Sequence, residues 1–145
     1  ITGEAQEVGA AQAQLAREHL AKIDKADKPL ALISGGECTV TIPAGTKGRG
    51  GRCSEYLLSL FASSDDLPMM AALAADTDGI DGSEKNAGAW FDSSIRGLTK
   101  ANGIDPAKYL KAHDCYGFFA QLDALVETGP TLTNVNDFRI ILLDK

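Results

Sequence analysis

The sequence has few cysteines and no closely spaced cysteine pair. Its three cysteines, Cys38, Cys53 and Cys115, are odd in number and form no Cys-x-x-Cys motif. A disulfide framework uses an even set, and a structural zinc site needs closely spaced ligand pairs, so the sequence indicates neither. We therefore expect a protein of the reducing cytoplasm.

Long apolar runs and an excess of positive charge are also missing. No stretch of about 18 apolar residues is present, and no charged start leads into an apolar segment, so we expect no membrane span and no secretory signal. Lys and Arg number 14 against 20 Asp and Glu, for a net charge of −6. This balance argues against a nucleic-acid partner, which would require a broad basic face.

The chain has 145 residues, of which 44% are hydrophobic, enough for one domain with its own core. It begins at Ile1 without a methionine, which suggests processing or a piece of a longer protein.

The apolar pattern predicts strands that alternate with helices. Three- and four-residue spacing over 4–23 is typical of an amphipathic helix. Two apolar runs, 30–34 and 38–42, predict a β-hairpin that turns at Gly35-Gly36. The run at 69–76 is typical of a strand covered on both faces, although periodicity alone does not exclude a helix there. A last strand is predicted at 138–144, and further helices after residue 52, over 87–101, from Pro106 and over 116–127. These elements predict an α/β domain with a mixed sheet.

A basic, glycine-rich loop precedes the helix predicted after residue 52. Flexible backbone, positive charge and a helix N-terminus together favour anion binding. The alternative is a mobile, solvated connection. Neither GxxxxGK[ST] nor GxGxxG is present, which weighs against a free-standing NAD-dependent enzyme. The candidate residues of this loop are Lys47, Arg49, Gly50, Gly51 and Arg52.

Three aspartates, Asp76, Asp78 and Asp81, follow the run at 69–76. Clustered carboxylates favour Mg²⁺, but an EF-hand loop that begins at Asp76 is excluded, because Ile80 replaces the third loop ligand and Ala87 occupies the twelfth position. The alternative is turn chemistry, in which Asp side chains only bind local backbone amides.

The loop before the last strand carries hydroxyl, amide and carboxylate groups. Thr131, Asn134 and Asp137 could hydrogen-bond a hydroxyl-rich ligand, and a hydrogen-bonded turn is the alternative. Glu37 could orient an arginine of the basic loop.

Two further residues are candidates with less support. We interpret His113 as a surface residue rather than a catalytic one. Cys53, at a helix start beside arginines, is expected to have a lowered thiol pKa, but no partner for catalysis is visible.

Five blocks in order, ISGGECTVTI, GTKGRGGRCSE, AALAADTDGIDG, DCYGFF and TGPTLTNVND, resemble the MOFRL domain, the C-terminal half of type II glycerate 2-kinases. Many members of that family carry the name hydroxypyruvate reductase. The resemblance covers residues 29–145. Residues 1–28 look like a helix that leads in from a missing N-terminal domain.

The resemblance implies a three-layer α/β/α sandwich that faces a Rossmann-like domain, with ATP, Mg²⁺ and D-glycerate bound in the cleft between them. It implies phosphoryl transfer from ATP to the 2-hydroxyl of glycerate. Arg52 and Lys47 would then neutralise the transferring phosphoryl charge or hold the carboxylate. Asn134 and Asp137 would contact substrate, and Asp76, Asp78 and Asp81 would position Mg²⁺. The remaining candidates for the anion and substrate site are Glu37, Arg49, Gly50, Gly51, Glu55 and Thr131.

Two positions depart from the family pattern, Cys53 in place of Asn and Leu132 in place of Gly. Both lie in site loops, so substrate preference could differ from glycerate. Two alternatives stay open, an NAD(P)H-dependent hydroxypyruvate reductase and a non-catalytic anion-binding domain. The oligomeric state also stays open, with a homodimer as one option.

Overall fold

Six strands form one open, mixed sheet in the computed structural model, which describes residues 1–24 and 28–144. The strand order across the sheet is β1-β2-β6-β3-β4-β5. Only β1 and β2 run parallel, and the other neighbours are antiparallel. The predicted α/β class and mixed sheet are confirmed. The strands are β1 (Thr2–Glu4), β2 (Leu30–Thr39), β3 (Ala71–Asp76), β4 (Gly88–Phe91), β5 (Leu125–Val126) and β6 (Asp137–Leu143).

Five helices accompany the sheet, and α2 is the most buried of them. Its residues from Cys53 to Phe61 are all buried, because α2 lies between the sheet and the other helices. Phe61 meets Phe91 of β4 and Phe118, with ring centroids 5.1 and 5.3 Å apart. The helices are α1 (Ala5–Leu20), α2 (Arg52–Ala62), α3 (Ser93–Ala101), α4 (Pro106–Lys111) and α5 (Cys115–Ala120).

The helices pack against one face of the sheet. The guanidinium of Arg96 on α3 lies 4.9 Å from the Phe91 ring, and Tyr109 of α4 stacks edge-on against Phe118 of α5. On β6, Arg139 points to the same side and meets Tyr56 of α2 at 4.9 Å. The expected three-layer sandwich has a layer of helices on each face of the sheet, and the described residues form one of these two layers.

The predicted hairpin at 30–42 is wrong, because β2 runs straight through the two glycines. Gly35 and Gly36 pair with Phe138 and Asp137 of β6 instead of turning. A Cβ on Gly36 would lie 2.1 Å from the carbonyl oxygen of Ile1. Close approach of the N-terminal segment, rather than a turn, therefore explains this glycine.

The helix predicted over 87–101 is partly wrong, because its first residues form β4. Asp92 marks the change, since its side chain accepts hydrogen bonds from the backbone N–H groups of Ser94 and Ile95 and so caps α3. The helix predicted over 116–127 likewise ends at Ala120, and the chain then forms β5. Both errors arise where a strand of two to four residues carries too little pattern to detect.

The predicted N-terminal helix is present as α1 and packs on α2. A Cβ on Gly9 would lie 2.4 Å from the carbonyl oxygen of Tyr56, so the two helices cross in close contact. Residues 1–24 are therefore part of the same packed unit as the rest. The predicted segments 1–28 and 29–145 also include residues 25–27 and 145, which lie outside the described residues. No helix in the described part of the chain is long and apolar enough to cross a bilayer.

Candidate functional site

Three neighbouring strands carry carboxylates at the same end of the sheet. Asp76 is the last residue of β3 and pairs in register with Asp137, the first residue of β6. Glu37 on β2 lies one residue beyond Gly36, the partner of Asp137. The topology thus brings together three residues that are up to 100 positions apart in sequence.

Arg52, the first residue of α2, lies among these carboxylates. Its Nε donates to Asp137 Oδ1 at 2.9 Å, and its Nη2 donates to Asp76 Oδ2 at 2.5 Å. Its Nη1 lies 3.6 Å from Oε1 of the exposed Glu37, an ion pair without a hydrogen bond. Charge-assisted hydrogen bonds to two different carboxylates hold the guanidinium in one orientation. Arg52 remains partly exposed and is thus a fixed positive group at the surface.

Burial and charge pairing act in opposite directions at this cluster. Burial alone would lower the pKa of Arg52, but the hydrogen bond and charge of Asp137, with the charge of Asp76, raise the pKa above its usual value. Burial raises the pKa of Asp76, although the Asp78 amide and Arg52 both favour its charged form. Arg52 therefore stays cationic.

Arg139 binds the second oxygen of the Asp137 carboxylate, with its Nη2 donating to Oδ2 at 2.6 Å. It is fully buried, and its Nη2 also contacts Cys38 Sγ at 3.2 Å. Among the described residues, its Nε and Nη1 have no hydrogen-bond partner. We did not predict a role for Arg139 from the sequence. The signal that could have indicated one is a single arginine inside the apolar run of the last strand.

Asp81 occupies the helix N-terminus that the sequence suggested for an external anion. Its carboxylate accepts from the backbone N–H groups of Cys53 and Ser54 at 2.9 and 2.8 Å, and from the Ser54 hydroxyl at 2.6 Å. Two of the free amides in the first turn of α2 are thereby satisfied. Burial nevertheless raises the pKa of Asp81. The helix end is closed by the protein's own carboxylate.

The other two aspartates of the predicted metal site also form hydrogen bonds within the protein. Asp76 pairs with Arg52 and accepts from the Asp78 N–H at 3.2 Å, and Asp78 accepts from the Ile80 N–H at 2.8 Å. Within residues 1–24 and 28–144, no three Asp, Glu, His or Cys side chains are arranged to hold a metal ion. The described residues thus do not fit a self-contained Mg²⁺ site. The metal assignment stays a prediction that needs ligands from outside them.

The glycine-rich loop packs closely on the segment 112–116. A Cβ on Gly48 would lie 2.2 Å from the carbonyl oxygen of His113, and one on Gly51 would lie 2.3 Å from Asp81 Oδ1. These glycines therefore allow contact with the protein itself. Gly50, with a φ of 132°, adopts a conformation that favours glycine, and its carbonyl accepts a hydrogen bond from the backbone N–H of Ser83 at 3.3 Å.

The two remaining cations of the loop differ in how they are held. Arg49 stacks over the Tyr116 ring at 5.0 Å, and its Nε lies 3.5 Å from Asp114. Lys47 is exposed and forms no ion pair with any residue that the structure describes. Arg49 therefore attaches the loop to Asp114 and Tyr116, whereas Lys47 extends from the loop without an ion-pair partner among the described residues.

His113 is not the surface residue that we expected. Its Nδ1 lies 2.7 Å from Oε1 of the buried Glu55, which also accepts from Gln6 Nε2 at 2.8 Å. Its φ is 52°, an uncommon conformation for a residue other than glycine. His113, Glu55 and Arg52 line one cavity of about 270 Å³ together with glycines of the loop. The neighbouring His113 and Asp114 did not reveal the contact between His113 and Glu55, because His113 and Glu55 are 58 positions apart in the sequence.

The expectation of a lowered thiol pKa at Cys53 is wrong. The side chain is fully buried, and burial together with the negative charges of Asp81 and Asp137 raises its pKa. A neutral, buried thiol is a poor nucleophile, so Cys53 is a packing residue.

The loop before β6 is held by hydrogen bonds to Thr77, which follows β3, and by hydrogen bonds within the loop. Thr131 donates through its hydroxyl to the carbonyl of Thr77, and Asn134 accepts from the Asn136 N–H at 3.0 Å. Leu132 is almost fully exposed with a φ of 60°. The loop lies next to Asp78, and the loop and Asp78 together line an open cavity of about 450 Å³.

Comparison with known proteins identifies relatives over nearly the whole chain. A protein of Agrobacterium vitis, provisionally named hydroxypyruvate reductase, is 48% identical over 143 residues, which are 99% of this chain and 37% of that protein. The D-glycerate 2-kinase of Thermotoga maritima is 40% identical, covering 97% of this chain and 33% of the enzyme. This chain thus spans about a third of the length of these relatives, as their C-terminal part.

Solved structures agree with the sequence relatives. The crystal structure of the Thermotoga maritima glycerate kinase superposes with a TM-score of 0.88 at 39% identity, over 99% of this chain and 34% of that one. The PH0495 protein of Pyrococcus horikoshii gives the same TM-score at 34% identity. The sequence pattern of the MOFRL family matches residues 30–137. The chain therefore belongs to the MOFRL family.

Proposed function

We propose that this chain is the C-terminal part of a glycerate 2-kinase, which transfers the γ-phosphoryl group of ATP to the 2-hydroxyl of D-glycerate. The observation that carries the proposal is Arg52, a partly exposed cation held by Asp76 and Asp137 at two neighbouring strand ends. The names of the glycerate kinases among its relatives support the reaction class. The free and buried cysteines fit the reducing cytoplasm that we propose as its location.

Arg52 would bind the substrate carboxylate or the transferring phosphoryl group. Its guanidinium is oriented before any ligand binds, since Asp76 and Asp137 already hold two of its nitrogens. An oriented donor of this kind stabilises developing negative charge without reorganising during the reaction. Lys47, exposed on the glycine-rich loop, would add a mobile positive charge from the same side.

ATP and Mg²⁺ belong to the proposed reaction, but the described residues do not form a complete site for either. The helix N-terminus is filled by Asp81, and the three aspartates do not converge. The proposal therefore assigns part of the nucleotide and metal contacts to a preceding, Rossmann-like region. Thr131, Asn134 and Glu55 would border the substrate.

The test is Arg52→Ala in the full-length protein, with glycerate and ATP as substrates. We expect kcat to fall by about 100-fold or more, as is typical when a donor to developing charge is removed. Arg52→Lys keeps the charge but loses the planar guanidinium that bridges Asp76 and Asp137, so we expect only partial recovery. Arg17→Ala is the matched control, because Arg17 also pairs with a carboxylate, Asp66, but at the far end of α2. Unchanged turnover in Arg52→Ala, in a protein of normal thermal stability, would reject the role.

Hydroxypyruvate reduction is the second candidate, favoured by the name of the Agrobacterium vitis relative. Oxidation of NADH or NADPH by hydroxypyruvate, followed by absorbance with the intact protein, separates the two activities. The kinase proposal expects no reductase activity above background. An anion-binding domain without catalysis would show neither activity.

A further inference from the structure

Arg139 is a buried cation at a strand position whose surroundings are apolar. It lies on the helix side of β6, in line with Ile141 and Leu143, and pairs in register with Ala74 of β3. The ring of Tyr56 lies 4.9 Å from its guanidinium. An apolar side chain would fill such a position without the cost of removing a charge from water. Packing alone therefore does not explain an arginine here.

The carboxylate that compensates this charge is Asp137, which also binds Arg52. Arg139 Nη2 donates to Asp137 Oδ2 at 2.6 Å, and Arg52 Nε donates to Oδ1 at 2.9 Å. The Asp137 side chain is completely buried, so protein groups rather than solvent determine its orientation. The two arginines bind opposite oxygens of one carboxylate and together hold it in place.

The balance of charge at this cluster depends on Arg139. Asp76, the register neighbour of Asp137, is also buried and accepts from Arg52 Nη2 at 2.5 Å. Two buried carboxylates therefore lie beside two arginines, and their charges cancel. Without Arg139, Arg52 would be the one remaining arginine that contacts these carboxylates in the described structure, and the cluster would be negative. A negative cluster repels an anion.

We propose that Arg139 is a positioning residue, which orients the carboxylate that holds Arg52 and leaves the positive charge of Arg52 available to an anionic substrate. The inference rests on the proposed function, because it takes Arg52 as the group that meets the substrate carboxylate or the transferring phosphoryl group. Arg139 is 1% exposed, so it reaches the substrate only through Asp137 and Arg52. The site requires the charge of Arg139 rather than its volume.

The test compares three substitutions of Arg139 in the full-length protein. Isothermal titration calorimetry measures the binding of D-glycerate in the presence of Mg²⁺ and a non-hydrolysable ATP analogue. Arg139→Met and Arg139→Gln remove the charge, although Gln retains a hydrogen-bond donor for Asp137. For both we expect the dissociation constant for glycerate to rise on the order of tenfold, the scale of one unit charge acting through protein. Arg139→Lys retains the charge and should restore most of the affinity. An unchanged dissociation constant in Arg139→Gln would overturn the proposal.

Arg96→Met is the matched control for the loss of a buried arginine. Arg96 is 5% exposed and also stacks on an aromatic ring, but it binds Phe61 and Ser64 at the opposite end of α2 from Arg52. We expect this substitution to lower thermal stability and to leave the dissociation constant for glycerate unchanged. An equal loss of affinity in Arg96→Met and Arg139→Met would mean that general destabilisation is the cause, which would also overturn the proposal.

Turnover separates this inference from the proposed function. If the wild-type protein phosphorylates glycerate, kcat/KM should fall in Arg139→Gln and recover in part in Arg139→Lys. If the wild-type protein binds glycerate without phosphorylating it, the kinase proposal fails, and the calorimetric comparison still decides the role of Arg139. No binding of glycerate to the wild-type protein would overturn the inference, since it assigns an anionic ligand to Arg52.

Discussion

At the scale of single residues, the carboxylates of this domain serve mainly to hold other groups in place. Asp137 binds Arg52 with one oxygen and Arg139 with the other, and Asp81 closes the N-terminus of α2. The sequence named Arg52, Asp137 and Glu37 as candidates, and the structure brings these three together. It did not predict Arg139 or the pairing of His113 with Glu55, because such contacts depend on strands and helices far apart in the chain.

Asp81→Ala should destabilise the domain by about 2–4 kcal/mol, because it leaves buried backbone N–H groups and the Ser54 hydroxyl without their acceptor. Urea unfolding followed by circular dichroism measures the change. Asp78→Ala is the control, since the Asp78 carboxylate accepts only from the Ile80 N–H in an exposed turn. An equal, small effect of both substitutions would contradict the role of Asp81 as the cap of α2.

At the scale of elements, caps and strand lengths explain where prediction worked. Asp105, Asp114 and Asp92 each cap the start of a helix. The sequence predicted the helix from Pro106, directly after Asp105, whereas Asp92 lay inside a longer predicted helix. Periodicity found the helices of nine or more residues and the strands of six or seven. It did not find β4 and β5, which become strands only by pairing with neighbours.

Asp92→Ala should lower the free energy of unfolding by about 1 kcal/mol at neutral pH, the usual contribution of an N-cap. Hydrogen bonds from Ser94 hold the pKa of Asp92 below its ordinary value of 3.8. The stabilisation is therefore complete above that value and is lost as pH falls through the lowered pKa. Denaturant unfolding from pH 7 to pH 2 should show the difference from wild type shrinking. Ser93→Ala, at the exposed neighbour, should show no such trend.

At the scale of the whole molecule, the sheet has one covered face and one open apolar face. The described helices cover the side of Arg139 and Phe91, and the site lies at the strand ends between the two faces. The match to a third of its relatives' length agrees with a unit that requires further structure. The apolar run at 69–76 indicated a strand covered on both faces, but not what covers the second one.

The isolated chain should bind the fluorescent dye ANS more strongly than the full-length protein, because the apolar sheet face that carries Ile33, Phe138 and Leu142 is exposed in the isolated chain. The double substitution Ile33→Ser and Leu142→Ser should remove most of this excess fluorescence. Leu98→Ser, on α3, is the control and should leave it unchanged. Equal ANS binding by the isolated and full-length proteins would contradict the expectation.

By itself, the sequence determined the α/β class, most helix starts and the strand β6, and it named Arg52, Glu37 and Asp137 separately as candidates. These follow from local pattern and side-chain chemistry, which neighbouring residues specify. Only the tertiary structure decided that Gly35 and Gly36 continue a strand, that Asp81 fills a helix end, and that His113 meets Glu55. Each of these depends on which distant backbone comes close, and a side chain forms its hydrogen bonds with the partner that packing brings within reach.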